Sequence, residues 1–348
     1  MTAPQSSAFR TRMNDLGFDQ WFARSAKRAY TKDPWRAFDA AVGADIDSEE
    51  IRALVSLFLL REPVAEERIV EVLGAQLTAW LVSGDVLKGV GRDNVVSRYC
   101  LLVASGLFYF VDWPLRLSSG RLTSRETYLS CGTYDCLREI DRMCHGGKSL
   151  DLGTGAGLLA LSLAKKGCVV SAIDVDDHAL SLARLNLRIN DLQADVIHCS
   201  WRDFVGSSFQ LVVANPPWRL IPPEISYPYP VARRGAGELG LDCVLETLRV
   251  VEGSLAKDGA AIIRFDMPLN GNRNHMIAEE IEAILGPDKR FQFQVHSTIS
   301  AEEQARTSSE TCAFLNPSHP DLNQRFVDFY AENGIAYLHR GVAIVTAH

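Results

Sequence analysis

From residue 147 onward, short apolar runs alternate with segments whose apolar residues recur at helical spacing: KSLDLG, GLLALSLAKKG, CVVSAIDV, HALSLARLNLRIN, DVIHCS and FQLVVAN. No other feature constrains the fold as strongly. Strands separated by helices return in the same direction, and the helices cover the faces of the parallel sheet that results. Later segments extend the series with a helix in LDCVLETLRVVEGSLA, a strand in GAAIIRFDM, a helix around HMIAEEIEAIL, a strand in FQFQVHSTI, a helix in LNQRFVDFYAEN and a strand in GIAYLHRGVAIVTA. The pattern predicts an α/β, Rossmann-like sheet of seven strands with a late antiparallel hairpin.

One strand stops abruptly. In LVVANPPWRL, Val212 and Val213 suit a strand covered on both faces, but Pro216 and Pro217 have no N–H to give a ladder, so the strand must end at Asn215. The chain is stiffened where the sheet stops, just where open parallel sheets bind ligands. The Asn215 side-chain oxygen and the Pro216 carbonyl are two rigid acceptors that match the two hydrogens of a planar amino group. Holding those hydrogens biases the nitrogen lone pair towards an electrophile. Trp218 can stack on a flat acceptor or lie beside a cation. Asn215, Pro216 and Trp218 are therefore the candidate catalytic residues.

A second feature precedes it. In SLDLGTGAGLL a strand runs into Gly153, Gly155 and Gly157 and straight on into a helix, where glycines let the backbone approach a ligand and the new helix presents free N–H groups. The dinucleotide pattern G-x-G-x-x-G is not met, because the third glycine comes one residue early. The next strand ends in Asp174, with Val175 and Asp176 after it, 21 residues beyond Gly153. A carboxylate there can accept hydrogen bonds from ribose hydroxyls, while Asp176 and Asp177 are better placed to cap the following helix. One strand later, in SWRDF, Trp201 could pack on an adenine and Asp203 could accept its exocyclic N–H; both also fit a solvent-facing loop.

The N-terminal third has a different pattern. Trp21, Phe22, Ala26, Ala29 and Tyr30 share one helical face, SEEIRALVSLFLL and PVAEERIVEVLGAQLTAWLVSG read as helices, and YCLLVA and LFYFVDW read as strands joined at Ser105-Gly106. Helices followed by a hairpin suggest a winged-helix-like module. Few cations lie near the hairpin, and a net charge of -7 argues against a broad grip on nucleic acid, so docking or a lid suits it better. Eight cysteines without a C-x-x-C pair read as reduced thiols with no metal site, and neither a secretory stretch nor a bilayer-spanning run is visible. A cytoplasmic protein with no membrane partner is expected.

DLGTGAG, then Asp174, then NPPW, in this order and at these distances, resembles the class I S-adenosylmethionine-dependent methyltransferases of the N-P-P-[YFW] group, which methylate nitrogen of adenine, guanine or glutamine amides. The resemblance covers roughly residues 125 to 348, including RRGAGELGLD, which is similar to the glycine-rich stretch following N-P-P in that group. It implies a class I methyltransferase sheet at 123–348 behind an N-terminal helical and winged-helix-like domain at 1–122, with S-adenosylmethionine as cofactor. Asp151, Gly153, Gly155 and Gly157 would then contact the cofactor's methionine and sugar side, and Asp174 its ribose, with Val175 beside it. Gly132 and Thr133 in SCGTYD resemble the segment near the methionine carboxylate, and Asn215 to Trp218 would face the reacting nitrogen. Tyr227 and Tyr229 could join Trp218 in an aromatic box suited to a sulfonium.

Three functions follow. Methyl transfer to a nitrogen of a small molecule or a protein side-chain amide leads, ahead of an RNA base. The same pocket could instead fold the cofactor's methionine chain so that its α-amine attacks the γ-carbon, giving azetidine-2-carboxylate and methylthioadenosine. A degenerate, non-enzymatic binding module is the third. The sequence leaves the acceptor and the oligomeric state open.

Overall fold

The structure, a computed structural model, describes residues 3–26, 46, 48–113, 131–206, 208–226 and 241–347. Its N-terminal part holds α1 (Ala3–Asp15), α2 (Phe18–Trp21), α3 (Glu49–Phe58), α4 (Glu66–Leu73) and α5 (Ala75–Ser83). Ser48 caps α3 by accepting from the Ile51 N–H, and Gly74, at φ 89°, breaks the apolar run between α4 and α5. Trp21 and Phe22 are buried on the expected face; Ala29 and Tyr30 lie outside the described residues, as does the boundary expected at residue 122.

The hairpin that follows these helices is not the expected one. β2 (Leu87–Val90) and β3 (Asn94–Ser97) form it, with β1 (Val64–Ala65) completing a small sheet in the order β1–β3–β2. β4 (Cys100–Ala104) and β5 (Leu107–Val111), the strands read as the wing, pair among the described residues with each other alone, and all their residues are buried. An apolar hairpin of that kind must dock on something rather than stand in solvent.

The remaining elements are α6 (Cys131–Met143), β6 (Gly147–Leu152), α7 (Leu158–Lys165), β7 (Cys168–Asp174), α8 (Asp177–Ile189), β8 (Asp195–His198), β9 (Phe209–Ala214), α9 (Asp242–Ser254), β10 (Leu255–Leu269), α10 (Ala278–Leu285), β11 (Lys289–Ser300), α11 (Ala301–Cys312), α12 (Leu322–Glu332) and β12 (Tyr337–Ala347). The seven long-sheet strands lie in the order β11–β12–β10–β9–β6–β7–β8, as the alternation predicts. β12 is antiparallel to both its neighbours, and the β9–β10, β6–β9, β6–β7 and β7–β8 pairs are parallel. β11 and β12 are joined through α11 and α12 rather than by a tight turn. α6 and α11 were absent from the sequence reading: α6 opens with Gly132 and Thr133, and the buried face of α11 is Gln304, Ala305, Ser308, Ser309 and Cys312, too polar to stand out.

Alternation along the strands divides the core. Leu211 and Val213 of β9 join one apolar cluster, while Val212 and Ala214 join the other with Leu150 and Leu152 of β6. The first cluster also contains Phe9, Phe108 and Phe110 together with Leu159 of α7 and Leu182 and Leu185 of α8. The buried N-terminal hairpin thus shares a core with one face of the sheet.

Candidate active site

The sheet reverses its strand order at β6, since β7 and β8 lie on one side of it and β9 and β10 on the other. A crevice opens at the carboxyl ends of strands at such a reversal. Leu152 pairs with Ala214 in the β6–β9 register, so Gly153 and Asn215 emerge next to each other there. Two sequence features 62 residues apart meet because the topology makes their strands neighbours.

The glycine turn folds back on β7. The Gly153 and Thr154 N–H groups both donate to the Ile173 carbonyl, at 3.0 and 2.9 Å, and Gly153, Gly155 and Gly157 have φ of 77°, 54° and 87°. Positive φ is the reason for glycine here. At Gly153 there is a second reason: a Cβ would come within 3.0 Å of the Trp201 ring, which closes the floor of the turn from the short helix Trp201–Asp203. Asp203 lies exposed at the end of that helix, and Val175 is 58% exposed at the tip beyond β7.

Two carboxylates bound the turn from opposite sides. Asp174 is half-buried; its Oδ2 accepts from the Gly155 N–H at 2.9 Å and its Oδ1 from the Asp176 N–H at 3.0 Å. Burial pushes its pKa up while those N–H groups pull it down. The capping role falls to Asp176, which accepts from the His178 and Ala179 N–H groups, as expected. Besides the ribose role expected of it, Asp174 ties the strand end to the glycine turn. Asp151 is fully buried beneath the turn, with Oδ2 accepting from the Thr154 hydroxyl at 2.6 Å and the Ala160 N–H at 2.9 Å. Its Oδ1 has no partner, and burial raises its pKa to about 7.

On the other side of the crevice, the Asn215 Nδ2 donates to the Thr133 hydroxyl at 3.3 Å, which brings the first turn of α6 against the strand end. Pro216 is buried, and Pro217 and Trp218 are half-buried. Trp218 lies beside two guanidinium groups, Arg219 at 4.7 Å and Arg264 at 4.8 Å from the ring centroid. Tyr227 and Tyr229, and most of RRGAGELGLD, lie outside the described residues.

Arg264 is the residue sequence reasoning missed. It is 3% exposed in the middle of β10, with Nε 3.0 Å from Asp135 and Nη1 2.6 Å from Asp266. A Cβ on Gly132 would meet the Arg264 side chain at 2.8 Å, so α6 approaches β10 only because that position is glycine. The signal was present in IIRFDM, where two opposite charges two residues apart interrupt an apolar strand and point to one face. Beyond NPPW, the loop is held at two points by the segment inserted between β11 and β12, from α12 and from the connection that precedes it. The Tyr330 hydroxyl donates to the Leu220 carbonyl at 3.2 Å, and Asn316 exchanges two bonds with the Ser226 backbone, at 2.9 and 2.8 Å.

Reversed strand order, a glycine turn with acid residues at two strand ends and a rigid amide opposite define a Rossmann-like, nucleoside-binding class of enzyme fold. The model of the methyltransferase small domain matches residues 128–221, the stretch that holds nearly all of this site. A release factor glutamine methyltransferase from Deinococcus radiodurans is 34% identical over 213 residues, which cover 56% of this chain and 75% of that protein. A ribosomal RNA small subunit methyltransferase C from Pseudomonas putida is 31% identical over 128 residues, and the chain spans only 36% of its length. Among solved structures, the YcgJ protein from Bacillus subtilis aligns at a TM-score of 0.41 and 12% identity over 62% of this chain and 98% of that one. The chain belongs to the class I S-adenosylmethionine-dependent methyltransferases, in the group carrying the methyltransferase small domain.

Proposed function

We propose that this chain transfers the methyl group of S-adenosylmethionine to a nitrogen of a small molecule or of a protein side-chain amide. One observation carries the reading: the register that sets Gly153 beside Asn215 puts the glycine turn and the rigid amide at one crevice. The division at residue 122 and a cytoplasmic setting belong to this proposal. No helix among the described residues is long and apolar enough to cross a membrane.

The residues present fit the cofactor. A buried carboxylate oxygen without a partner, Asp151 Oδ1, suits an ammonium group, and Gly132 and Thr133, which lie against Arg264 and Asn215, are the residues proposed for the methionine carboxylate end. A carboxylate offers about four lone-pair sites, so Asp174, with two backbone donors, retains capacity for ribose hydroxyls. Gly153, Gly155 and Gly157 let the backbone come close, Val175 and Trp201 supply apolar surface for an adenine, and Asp203 an acceptor for its amino group. Bound S-adenosylmethionine supplies an electrophilic methyl on a sulfonium.

The chain's own part is positioning. Asn215, its Nδ2 held by Thr133, and the Pro216 carbonyl are the two acceptors this reading assigns to the hydrogens of an acceptor amino group. Fixing that group in line with the methyl converts a poor amide nucleophile into a placed one, worth several powers of ten in rate. Trp218, backed by Arg264, walls the acceptor side and excludes water.

Methylation of an RNA base nitrogen is the second reading, favoured by the similarity to the ribosomal RNA methyltransferase of Pseudomonas putida. The net charge of -7 ranks it below an amide. Incubation with S-adenosylmethionine, alone and then with glutamine peptides or RNA, followed by mass spectrometry, separates the readings. S-adenosylhomocysteine formed only with the peptide is the expected result. Methylthioadenosine formed without any acceptor would replace transfer by cyclisation to azetidine-2-carboxylate.

A further inference from the structure

β5 does not join the main sheet; it runs along α8. Asn186 Oδ1 accepts from the Phe110 N–H at 2.6 Å, and its Nδ2 donates to the Phe110 carbonyl at 2.8 Å. One turn further on, Asn190 does the same for Phe108, at 3.0 and 2.5 Å. At the start of α8, His178 Nε2 lies 2.8 Å from Asp112. Four residues of helix rise about 6 Å and two residues of strand about 6.7 Å, so side chains at i and i+4 can serve alternate strand residues. Asparagine carries a donor and an acceptor in the arrangement of a peptide group, and α8 thereby acts as the missing neighbour of β5.

The two asparagines differ in one respect. Asn186, fully buried, gives a further bond from Nδ2 to the Ala156 carbonyl at 2.8 Å. Asn190 instead bonds the Asn186 carbonyl within α8. Ala156 lies between Gly155 and Gly157, both at positive φ, and its carbonyl belongs to the same planar peptide as the Gly157 N–H. Holding that oxygen fixes the orientation of the last peptide before α7.

We propose that Asn186 is a positioning residue for the cofactor, coupling the docked N-terminal hairpin to the glycine turn through the Ala156 carbonyl. The N-terminal module is on this view part of the frame of the cofactor site and not a lid over it. The inference rests on the reading that this turn holds S-adenosylmethionine.

Asn186→Ala and Asn190→Ala in the full chain form the test, because both break the ladder and only the first releases the turn. Urea unfolding should show similar losses for the two. Calorimetry with S-adenosylmethionine should show affinity reduced about ten-fold, the equivalent of one hydrogen bond, in Asn186→Ala and unchanged within two-fold in Asn190→Ala. Amide exchange at residues 155–158 should quicken in the first variant only. Equal affinity and equal exchange in both variants overturn the inference. If the wild type binds no S-adenosylmethionine, the proposed function falls, and the exchange comparison alone then decides the coupling. Should Asn186→Ala not fold, Asn186→Ser, which cannot span all three partners, is read against Asn190→Ala by the same measurements.

Discussion

Leu152 and Ala214 are register partners on adjacent parallel strands, and the residues after them, Gly153 and Asn215, leave the sheet together. Under the proposed function, cofactor and acceptor sit at two neighbouring strand ends. Asp174→Ala should weaken S-adenosylmethionine binding by roughly 100-fold, the loss of a charge-assisted pair of hydrogen bonds. Asn215→Ala should leave that binding within a few-fold and abolish turnover. Calorimetry and methyl-transfer assays on the two variants check both halves; equal binding by wild type and the Asp174 variant contradicts the ribose assignment.

Gly153 is held to glycine by two separate effects, its φ of 77° and the Trp201 ring 3.0 Å from where a Cβ would stand. Gly153→Ala should cost about 1–2 kcal/mol from the backbone alone, with a further cost from the clash. In a Trp201→Leu background the clash part disappears and the backbone part remains. A double-mutant cycle by urea unfolding should therefore give a coupling of about 1 kcal/mol and a residual penalty.

Asp151 links stability to pH in the direction opposite to most carboxylates. Burial raises its pKa from 3.8 to about 7, so between those values the folded chain holds a proton that the unfolded chain has released. Stability from this group is present below about pH 4 and is lost as pH rises to about 7, by up to ~4 kcal/mol. Asp151→Asn should flatten that part of the pH dependence and raise the unfolding midpoint at pH 8. Thermal unfolding from pH 4.5 to 8 measures the slope in both proteins.

Arg264 holds Asp135, Asp266 and Trp218 at once, with its guanidinium buried. Arg264→Met removes the buried cation shared by the two carboxylates, leaving Asp135 to Arg138 and Asp266 to Arg340 at 3.9 Å, and should cost about 3 kcal/mol. Arg264→Lys keeps the charge but loses the flat fork that serves two acids and an indole face together. The lysine variant should fold, bind S-adenosylmethionine with nearly the wild-type affinity and turn over at least ten-fold more slowly. A change in cofactor affinity equal to the change in turnover would place Arg264 on the other side of the crevice.

Much of this protein was legible in the chain itself, because strand and helix periods are local. The alternation after residue 147, the stop at Asn215, the glycine turn and the capping of α8 by Asp176 are each written within a dozen residues, where pleat, helix pitch, proline and capping chemistry act. The wing falls at Leu87–Ser97 and not at Cys100–Val111 for the same reason: a hairpin looks alike whether it stands in solvent or is buried. α11 was invisible because its buried face is made of small and polar side chains.

The sequence by itself determined which segments become strands and helices and which residue types crowd the strand ends. Only the tertiary structure decided who meets whom. Arg264 reaches Asp135 across 129 residues, Asn316 reaches Ser226 across 90 and Asn186 reaches Phe110 across 76. Such contacts arise from strand order and helix docking, which depend on burying both faces of the sheet at once and leave no period or motif near the residues they join.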